Sequence, residues 1–395
     1  MRIALVSEHF APRTGGAAQW GRQVAERLVS RGHDLRILTF ASREDGGGDS
    51  DFDVRRLPWH PSRLERARAM AAAVGEVPAD VVHDTGVGWS FDVFHPQTGA
   101  RVANYRRDMA SRTPWERLVE RLQPRHWRWL HELRAVERLQ FSRRDALFVA
   151  VSTMVASSME ELYGVRAERI RKIPNGVDAA VPATDGARRA ELRRRLGVAE
   201  DETLFLFAAH NPRLKGVRPL IEAAHALVLR KARFKLAIIG READRDLRRR
   251  VSALGLDREV LLCGFVPDGS AHFAAADAVV LPSYHDACSL TVFEACAAGV
   301  PVITTRYNGA SEYVTSGREG FVVDEPDDVP ALADRMFALT DPAVRERMSA
   351  AAAALAQRHD LGRNVDALEA VLHEAAESRQ RGAAPGTGKG EGRTS

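Results

Sequence analysis

Cysteine is scarce in this chain. Its 395 residues hold three, Cys263, Cys288 and Cys296, all in the second half and with no Cys-x-x-Cys pair. An odd, widely spaced set excludes a disulfide framework and a cysteine-based zinc site, and it suits a reducing compartment. No apolar run approaches the roughly 18 residues of a membrane-spanning helix, so any membrane contact is expected to be peripheral. The first residues, MRIALVSEHF, enter a strand pattern at once, without the basic start, long apolar stretch and small-residue cleavage site of a signal peptide. A cytoplasmic protein is expected. Gly-x-Gly-x-x-Gly does not occur, which removes the dinucleotide fingerprint. The Asp-x-Asp at Asp51-Phe52-Asp53 lies in a polar glycine-rich loop without an evident third ligand, and is read as solvated rather than metal-binding. Net charge is only +4, and no nucleic-acid partner is expected.

What the sequence does contain is organised around Tyr284–Thr305, YHDACSLTVFEACAAGVPVITT. It follows Ala278–Pro282, a short apolar run closed by proline, with the composition of a buried parallel strand. Ser289 is placed to cap a helix over Leu290–Ala298, which stops at Gly299 before Pro301. Strand, loop and helix start make an anion cradle: free N–H groups from Cys288 to Thr291, including those of Ser289 and Leu290, favour a phosphate there. Asp286 and Glu294 bracket this cradle with seven residues between them. Carboxylates beside a phosphate site are explained if they accept hydrogen bonds from sugar or ribose hydroxyls. The alternative is an ordinary amphipathic helix with one acid in a loop and one on a solvated face.

The chain's length suits two domains, and 45% hydrophobic residues supply two cores. In the first half, a strand at Arg2–Ser7 leads to Gly15-Gly16 and a helix through Trp20, Val24 and Leu28; the paired glycines permit close backbone approach to a ligand, or simply a flexible turn. Strands over Leu35–Phe40, Val54–Leu57, Asp80–Asp84 and Phe91–Phe94 follow. The last two end at His83, Asp84 and His95, which in a parallel sheet open on the same side as Gly15-Gly16. These three are candidates for an acceptor pocket, His95 either as catalytic base or as a structural hydrogen-bonder. Thr113-Pro114-Trp115-Glu116 is a capping box. It opens a long helical stretch with a break at Pro124. Between Arg101 and Phe141 ten Arg face five Asp or Glu, with three tryptophans among them. That composition suits either an anionic membrane surface or a helix packed on its own domain.

The second half opens with a strand at Leu204–Ala208, then His210-Asn211-Pro212-Arg213-Leu214-Lys215-Gly216 and a helix over Val217–Leu229. Arg213 and Lys215 lie between strand end and helix start, where two cations can hold a diphosphate. Further strands, Phe234–Gly240 and Glu259–Phe265, end in loops at the same sheet edge. The tail from Arg381 lacks large apolar residues and is expected to be disordered.

Asp286, Glu294 and the CAAGVPVITT that follows resemble the retaining family 4 glycosyltransferases of the GT-B fold, in which two glutamates hold these places; the first is aspartate here. The resemblance extends from Met1 to about residue 375. It is nearest the lipopolysaccharide core α-1,3-glucosyltransferase branch, on DVFHPQTGARVANYRR, VAVSTMVASSMEELYGV and HNPRLKG. It implies an α/β fold of two facing Rossmann-like domains with a cleft between them. The expected boundaries are 1–180 for the acceptor domain and 181–359 for the nucleotide-sugar donor domain. A helix over 360–378 crosses back to the first domain, and 379–395 form a disordered tail. The resemblance further implies transfer of a hexose, glucose from UDP-glucose, with retention, to a glycan or glycolipid acceptor of the cell envelope. No cofactor or metal is expected.

The resemblance and the strand-end reading together assign Lys215, Arg213, Asp286 and His95 to the chemistry. Gly15, Gly16, Asn211, Gly240, Phe265, Val266, Ser289, Leu290, Thr291 and Glu294 go to the donor, and His83 and Asp84 to the acceptor. Three rivals remain open: a sugar-nucleotide epimerase of the same fold, a glycan phosphorylase, and a non-catalytic membrane-associated scaffold.

Overall fold

The computed structural model describes residues 1–10, 16–41, 52–178, 186–266 and 269–383. The short apolar runs of the first half become β1 (Arg2–Val6), β2 (Asp34–Phe40), β3 (Asp53–Leu57), β4 (Val81–Asp84), β5 (Val93–Phe94), β6 (Leu147–Ala150) and β7 (Ile170–Lys172). They pair in the order β3-β2-β1-β4-β5-β6-β7, parallel throughout. Those of the second half become β8 (Thr203–Ala209), β9 (Phe234–Gly240), β10 (Val260–Gly264), β11 (Ala278–Leu281), β12 (Val302–Thr305) and β13 (Gly320–Val323), ordered β10-β9-β8-β11-β12-β13, again parallel. Helices cover both faces, so central strands such as β4, β11 and β12 are buried along their whole length. The fold is the expected one of two Rossmann-like α/β domains.

Strand order reverses between β1 and β4 in one sheet and between β8 and β11 in the other. In open parallel sheets the crevice beyond the carboxyl ends at such a reversal is where ligands bind. At these edges Asp84 ends β4, Gly16 opens the helix after β1, and the loops that leave β8 and β11 carry Lys215 and Asp286.

The boundary expected at 180/181 falls within residues 179–185, outside the described residues. On either side of it the chain is tightly held. Val177 bridges to Asp360, with Val177 N–H donating to the His359 carbonyl (3.0 Å) and Leu361 N–H to the Val177 carbonyl (2.9 Å). Gly176 is required here, since a Cβ would lie 2.8 Å from Asn364 Cβ and 2.9 Å from Leu361 Cα. From this crossing the helix Leu361–Ala383 lays Leu361, Val365, Leu368 and Leu372 against Ile3, Leu5, Trp20, Val24 and Leu28, the i, i+4, i+7 stripe of a helix seated on a core. Asn364 locks the joint by donating to the Pro174 carbonyl (2.6 Å) and accepting from Trp20 Nε1 (3.2 Å).

The expected tail needs correction. The helix runs on through Ala383, past the predicted end at 378, because its polar last turns find partners: Arg379 pairs with Asp92 (2.8 Å) and Arg381 with Glu377 (3.6 Å). Residues 384–395 lie outside the described residues.

Candidate active site

The helix Leu290–Ala297 starts where β11 points, and it buries Val292, Phe293, Ala295 and Cys296. Ser289 occupies its N-cap position, yet its hydroxyl makes no capping bond, contrary to the sequence expectation. Asn308 braces the cap residue itself, its Oδ1 accepting from Ser289 N–H (3.2 Å) and Ala310 N–H (3.1 Å) and its Nδ2 donating to Thr304 (3.0 Å). Fully buried, Asn308 fixes the loop before the helix. The cradle is therefore narrower than expected: Ser289 N–H is spoken for, and the amides of Leu290 and Thr291 carry the helix dipole into the cleft. Gly16, the first residue of the helix Gly16–Ser30, meets them from the other domain; a Cβ there would sit 3.3 Å from Leu290 Cδ1. Gly15 lies outside the described residues.

Asp286 and Lys215 are brought together, Nζ to Oδ2 2.5 Å, with Lys215 also donating to the His285 carbonyl (3.3 Å). The Asp286 backbone is clamped between Tyr307 O (2.9 Å) and Gly309 N (2.8 Å). Gly216 behind Lys215 has φ +83°, and a Cβ would fall 2.0 Å from the Pro282 carbonyl oxygen. Only glycine lets the lysine loop lie this close to β11.

Glu294 lines a cavity of about 610 Å³ together with Gly16, Gly240, Phe265, Val266 and Thr291. Its carboxylate has no hydrogen-bond or ion-pair partner among the described residues. Part of the side chain opens to the cavity, but protein atoms around the carboxyl desolvate it and push its pKa up to about 7. Gly240, at φ +118°, brings β9 against β8, where a Cβ would strike Ala209 O at 2.2 Å. Phe265 is half-exposed at the rim.

His210 joins this cavity to a second of about 1170 Å³, and Asn211 joins the second to a third of about 600 Å³. Asn211 accepts at Oδ1 from Leu214 N–H (3.3 Å). Arg213 reaches across to Asp108 (2.8 Å), one of several links from the first domain. Arg107 donates to the Tyr284 carbonyl (2.9 Å) and lies over the Tyr307 ring at 3.4 Å, while Glu116 pairs with Arg218 (2.6 Å). The third cavity is walled by Arg63, Arg101, Arg112 and Arg125 with Tyr105 and Trp129. Arg101 is engaged by Glu8 (2.9 Å) and Arg112 by Asp108 and Glu120 (3.1 Å each). Arg63 has no side-chain partner among the described residues, its Nε is wholly buried, and burial, with Arg101 nearby, draws its pKa down to about 10.

The expected acceptor trio sits elsewhere. Asp84 is fully buried, and its two oxygens accept from the N–H groups of Gly86 (2.7 Å), Val87 (2.6 Å) and Gly88 (2.7 Å). It shapes a loop and has no face toward an acceptor. His83 and His95 stack on each other, both without exposed surface, Nε2 of one 3.3 Å from Nδ1 of the other, with Gln97 and Trp20 closing the far side of His95. Burial drives both pKa values down, His83 to about 4, so each is neutral. Of the predicted set, Gly16, Lys215, Asp286, Leu290, Thr291, Glu294, Asn211, Arg213, Gly240, Phe265 and Val266 lie along the cleft, and His83, Asp84 and His95 lie beneath it. Sequence reading missed Asn308, Arg107, Asp108 and Arg63. Arg107 and Asp108 were visible only as members of the Arg101–Phe141 stretch, and Asn308 and Arg63 carried no signal of a site.

Residues 14–181 match the family described as Glycosyltransferase Family 4, and residues 188–355 match Glycosyl transferases group 1. A D-inositol 3-phosphate glycosyltransferase of Pseudarthrobacter chlorophenolicus is 35% identical, over 96% of this chain and 97% of that one. Its counterpart from Acidothermus cellulolyticus is 27% identical over 97% and 92%. Among solved structures, WaaG, a glycosyltransferase involved in lipopolysaccharide biosynthesis, superposes with a TM-score of 0.79 at 23% identity, covering 94% of this chain and 99% of its own. Anabaena HepE in complex with UDP-glucose gives 0.69 at 22%, covering 96% and 100%. At these identities the two structures speak for the fold.

Proposed function

The chain belongs to the GT-B glycosyltransferases of group 1 and family 4, and on that footing we propose that it moves a hexose from a UDP-sugar, UDP-glucose first among them, with retention, to a phosphate-bearing acceptor of the cell envelope. The observation that carries the donor half is Glu294. An unpaired carboxylate in the wall of a nucleoside-sized cavity, beside two helix N-termini, is costly unless a ligand uses it. Ribose hydroxyls donating to Glu294 do so, with the base between Phe265 and Gly240. The diphosphate then falls on the amides of Leu290, Thr291 and Gly16, with Lys215 and Arg213 beside it. These groups stabilise the charge that grows on the departing diphosphate, whose oxygen accepts the acceptor's proton on the same face. Asp286 orients sugar hydroxyls. With His95 neutral and covered, no side-chain base is required. An epimerase would need an acid and a base over the sugar, and the described residues around Asp286 offer no second free carboxyl there.

Arg63 carries the acceptor half. A half-buried guanidinium with no hydrogen-bonded side-chain partner, its Nε covered and Glu8 nearby, in a cavity reached from the diphosphate site through Asn211, fits an acceptor phosphate. The relatives named for D-inositol 3-phosphate agree with an acceptor of this class; a phosphorylated lipopolysaccharide-core saccharide is another member.

Thermal unfolding against UDP-, GDP-, ADP- and dTDP-sugars identifies the donor, and the anomeric coupling of the product, read by NMR, gives the stereochemistry. Arg63→Ala is expected to raise KM for a phosphorylated acceptor at least about tenfold and leave donor affinity unchanged. Equal loss with a phosphate-free acceptor would remove the phosphate from the assignment.

A second observation concerns location. The helix Pro114–Arg121 has no buried residue, and Trp115 (71% exposed), Leu118, Val119 and Leu122 (72%) form one apolar stripe flanked by Arg117, Arg121 and Arg125. No helix among the described residues is long and apolar enough to cross a membrane. This stripe supports peripheral binding to an anionic membrane at its cytoplasmic face, where a lipid-linked acceptor would be met.

A further inference from the structure

Away from the cleft, three side chains converge where the returning helix meets the first domain. His33 lies in the turn between the helix Gly16–Ser30 and β2. Glu369 and His373 stand one turn apart on the helix Leu361–Ala383, the i, i+4 spacing that aims two side chains at one point. His33 Nε2 is 2.8 Å from Glu369 Oε1, His373 Nε2 is 4.0 Å from the same oxygen, and all three ligand atoms lie within 4.8 Å of one another. We propose that His33, Glu369 and His373 form a binding site for a divalent transition-metal ion, with Zn²⁺ its first occupant, that fastens the returning helix to the first domain.

Two imidazoles and one carboxylate are the donor set of three-ligand zinc sites, with water as the fourth ligand. Bonds of about 2.0–2.1 Å in a tetrahedron place ligand atoms about 3.3 Å apart. The present spacings bracket that value, and His373, whose side chain is 55% exposed, is free to rotate inward. The surroundings favour it. Glu369 Oε2 is held by Arg31 (2.5 Å), which fixes the carboxylate and leaves Oε1 for the ion. Arg31 is itself shared with Asp366 (2.6 Å), so it does not neutralise Glu369 alone. With Nε2 of His33 on the metal, its ring proton sits on Nδ1.

The ion would close a loop between residue 33 and residues 369–373, midway along the helix that begins at the Val177–Asp360 crossing. Its effect is on the docking of that helix. The transfer chemistry is untouched.

The test titrates ZnCl₂ into the tag-free full chain by calorimetry, with Co²⁺ absorption as a geometric readout, and follows thermal unfolding with and without zinc. Saturable one-to-one binding, a higher unfolding temperature with zinc, and at least about a tenfold loss of affinity in His373→Ala are expected. His373→Ala removes an exposed side chain, so its metal-free unfolding temperature should match the parent's. Glu369→Gln, which keeps a partner for Arg31, should also lose the zinc response. No saturable binding, or one-to-one binding retained in both variants, overturns the assignment.

Discussion

Glu294→Gln separates what the donor site costs from what it does. In the free protein burial lifts the Glu294 pKa to about 7 from an ordinary 4.5. Between those values the folded chain keeps a proton that the unfolded chain has released, so stability falls as pH rises through that window and the full cost is present above pH 7. Each pKa unit corresponds to about 1.4 kcal/mol, which sets an upper bound of roughly 3 kcal/mol. Water entering from the open side of the cavity lowers it, and the amide of glutamine carries a desolvation cost of its own. The stability of Glu294→Gln minus that of the parent should therefore be near zero at about pH 4.5 and rise to roughly 1–2 kcal/mol at about pH 8. Urea unfolding of both proteins across that range measures it. Saturating UDP-glucose at the upper pH should reverse the order, because only the carboxylate accepts strong hydrogen bonds from the ribose diol. Parallel pH curves would refute the burial argument. Equal ligand stabilisation of the two proteins would refute the assignment of Glu294 to the donor.

Four further variants test the cleft and the exposed apolar stripe. Lys215→Ala should lower kcat about 10²–10³-fold and, by leaving Asp286 without its cation, cost about 1–3 kcal/mol of stability; Arg213→Ala should cost less stability, because Asp108 keeps Arg112 (3.1 Å), and denaturant unfolding of the two compares them. Gly216→Ala places a Cβ 2.0 Å from the Pro282 carbonyl at a φ of +83°, so a loss of more than about 2 kcal/mol is expected, checked by calorimetric unfolding. Trp115→Ser with Leu122→Ser should abolish cosedimentation with phosphatidylglycerol vesicles while activity on a soluble acceptor is kept; vesicle binding equal to the parent's would place the membrane contact elsewhere or nowhere.

The parts of this structure that were legible in the sequence are those governed by local pattern. Ala278–Leu281 is a strand because four apolar residues before a proline have few other uses, and Leu290–Ala297 is a helix because its apolar spacing and Gly299 bound it. Lys215 and Asp286 were found as separate residues at two strand ends, and the parallel order of β8 and β11 brought them together. What stayed illegible depends on partners far along the chain. Asn308 braces Ser289, at the start of the Leu290 helix, because the loop after β12 folds back beneath it, and no local rule foretells that the hydroxyl of Ser289 makes no cap bond. Asp84 and His95 sat at strand ends as expected, but position at a strand end does not say whether a side chain points up into the cleft or down among Trp20 and Gln97. The last helix outran its predicted end because Asp92, nearly three hundred residues earlier, supplies a partner for Arg379.

Ion pairing in the free cleft bears on how the proposed donor is read. Lys215 and Asp286 satisfy each other in the free state, as do Arg213 and Asp108, which spares the fold the cost of partly buried unpaired charges. A diphosphate must therefore displace carboxylates, and the two displacements differ in consequence. Asp108 retains Arg112. Asp286 is left with no cation, and in its place needs donors, which the hydroxyl groups of the attached sugar supply. A nucleoside diphosphate alone would take Lys215 and strand Asp286, whereas a nucleotide sugar takes Lys215 with its phosphates and satisfies Asp286 with its hexose. In the proposed reading, phosphate recognition and sugar recognition are coupled through one ion pair, and the same coupling, run in reverse after transfer, weakens the hold on the departing diphosphate.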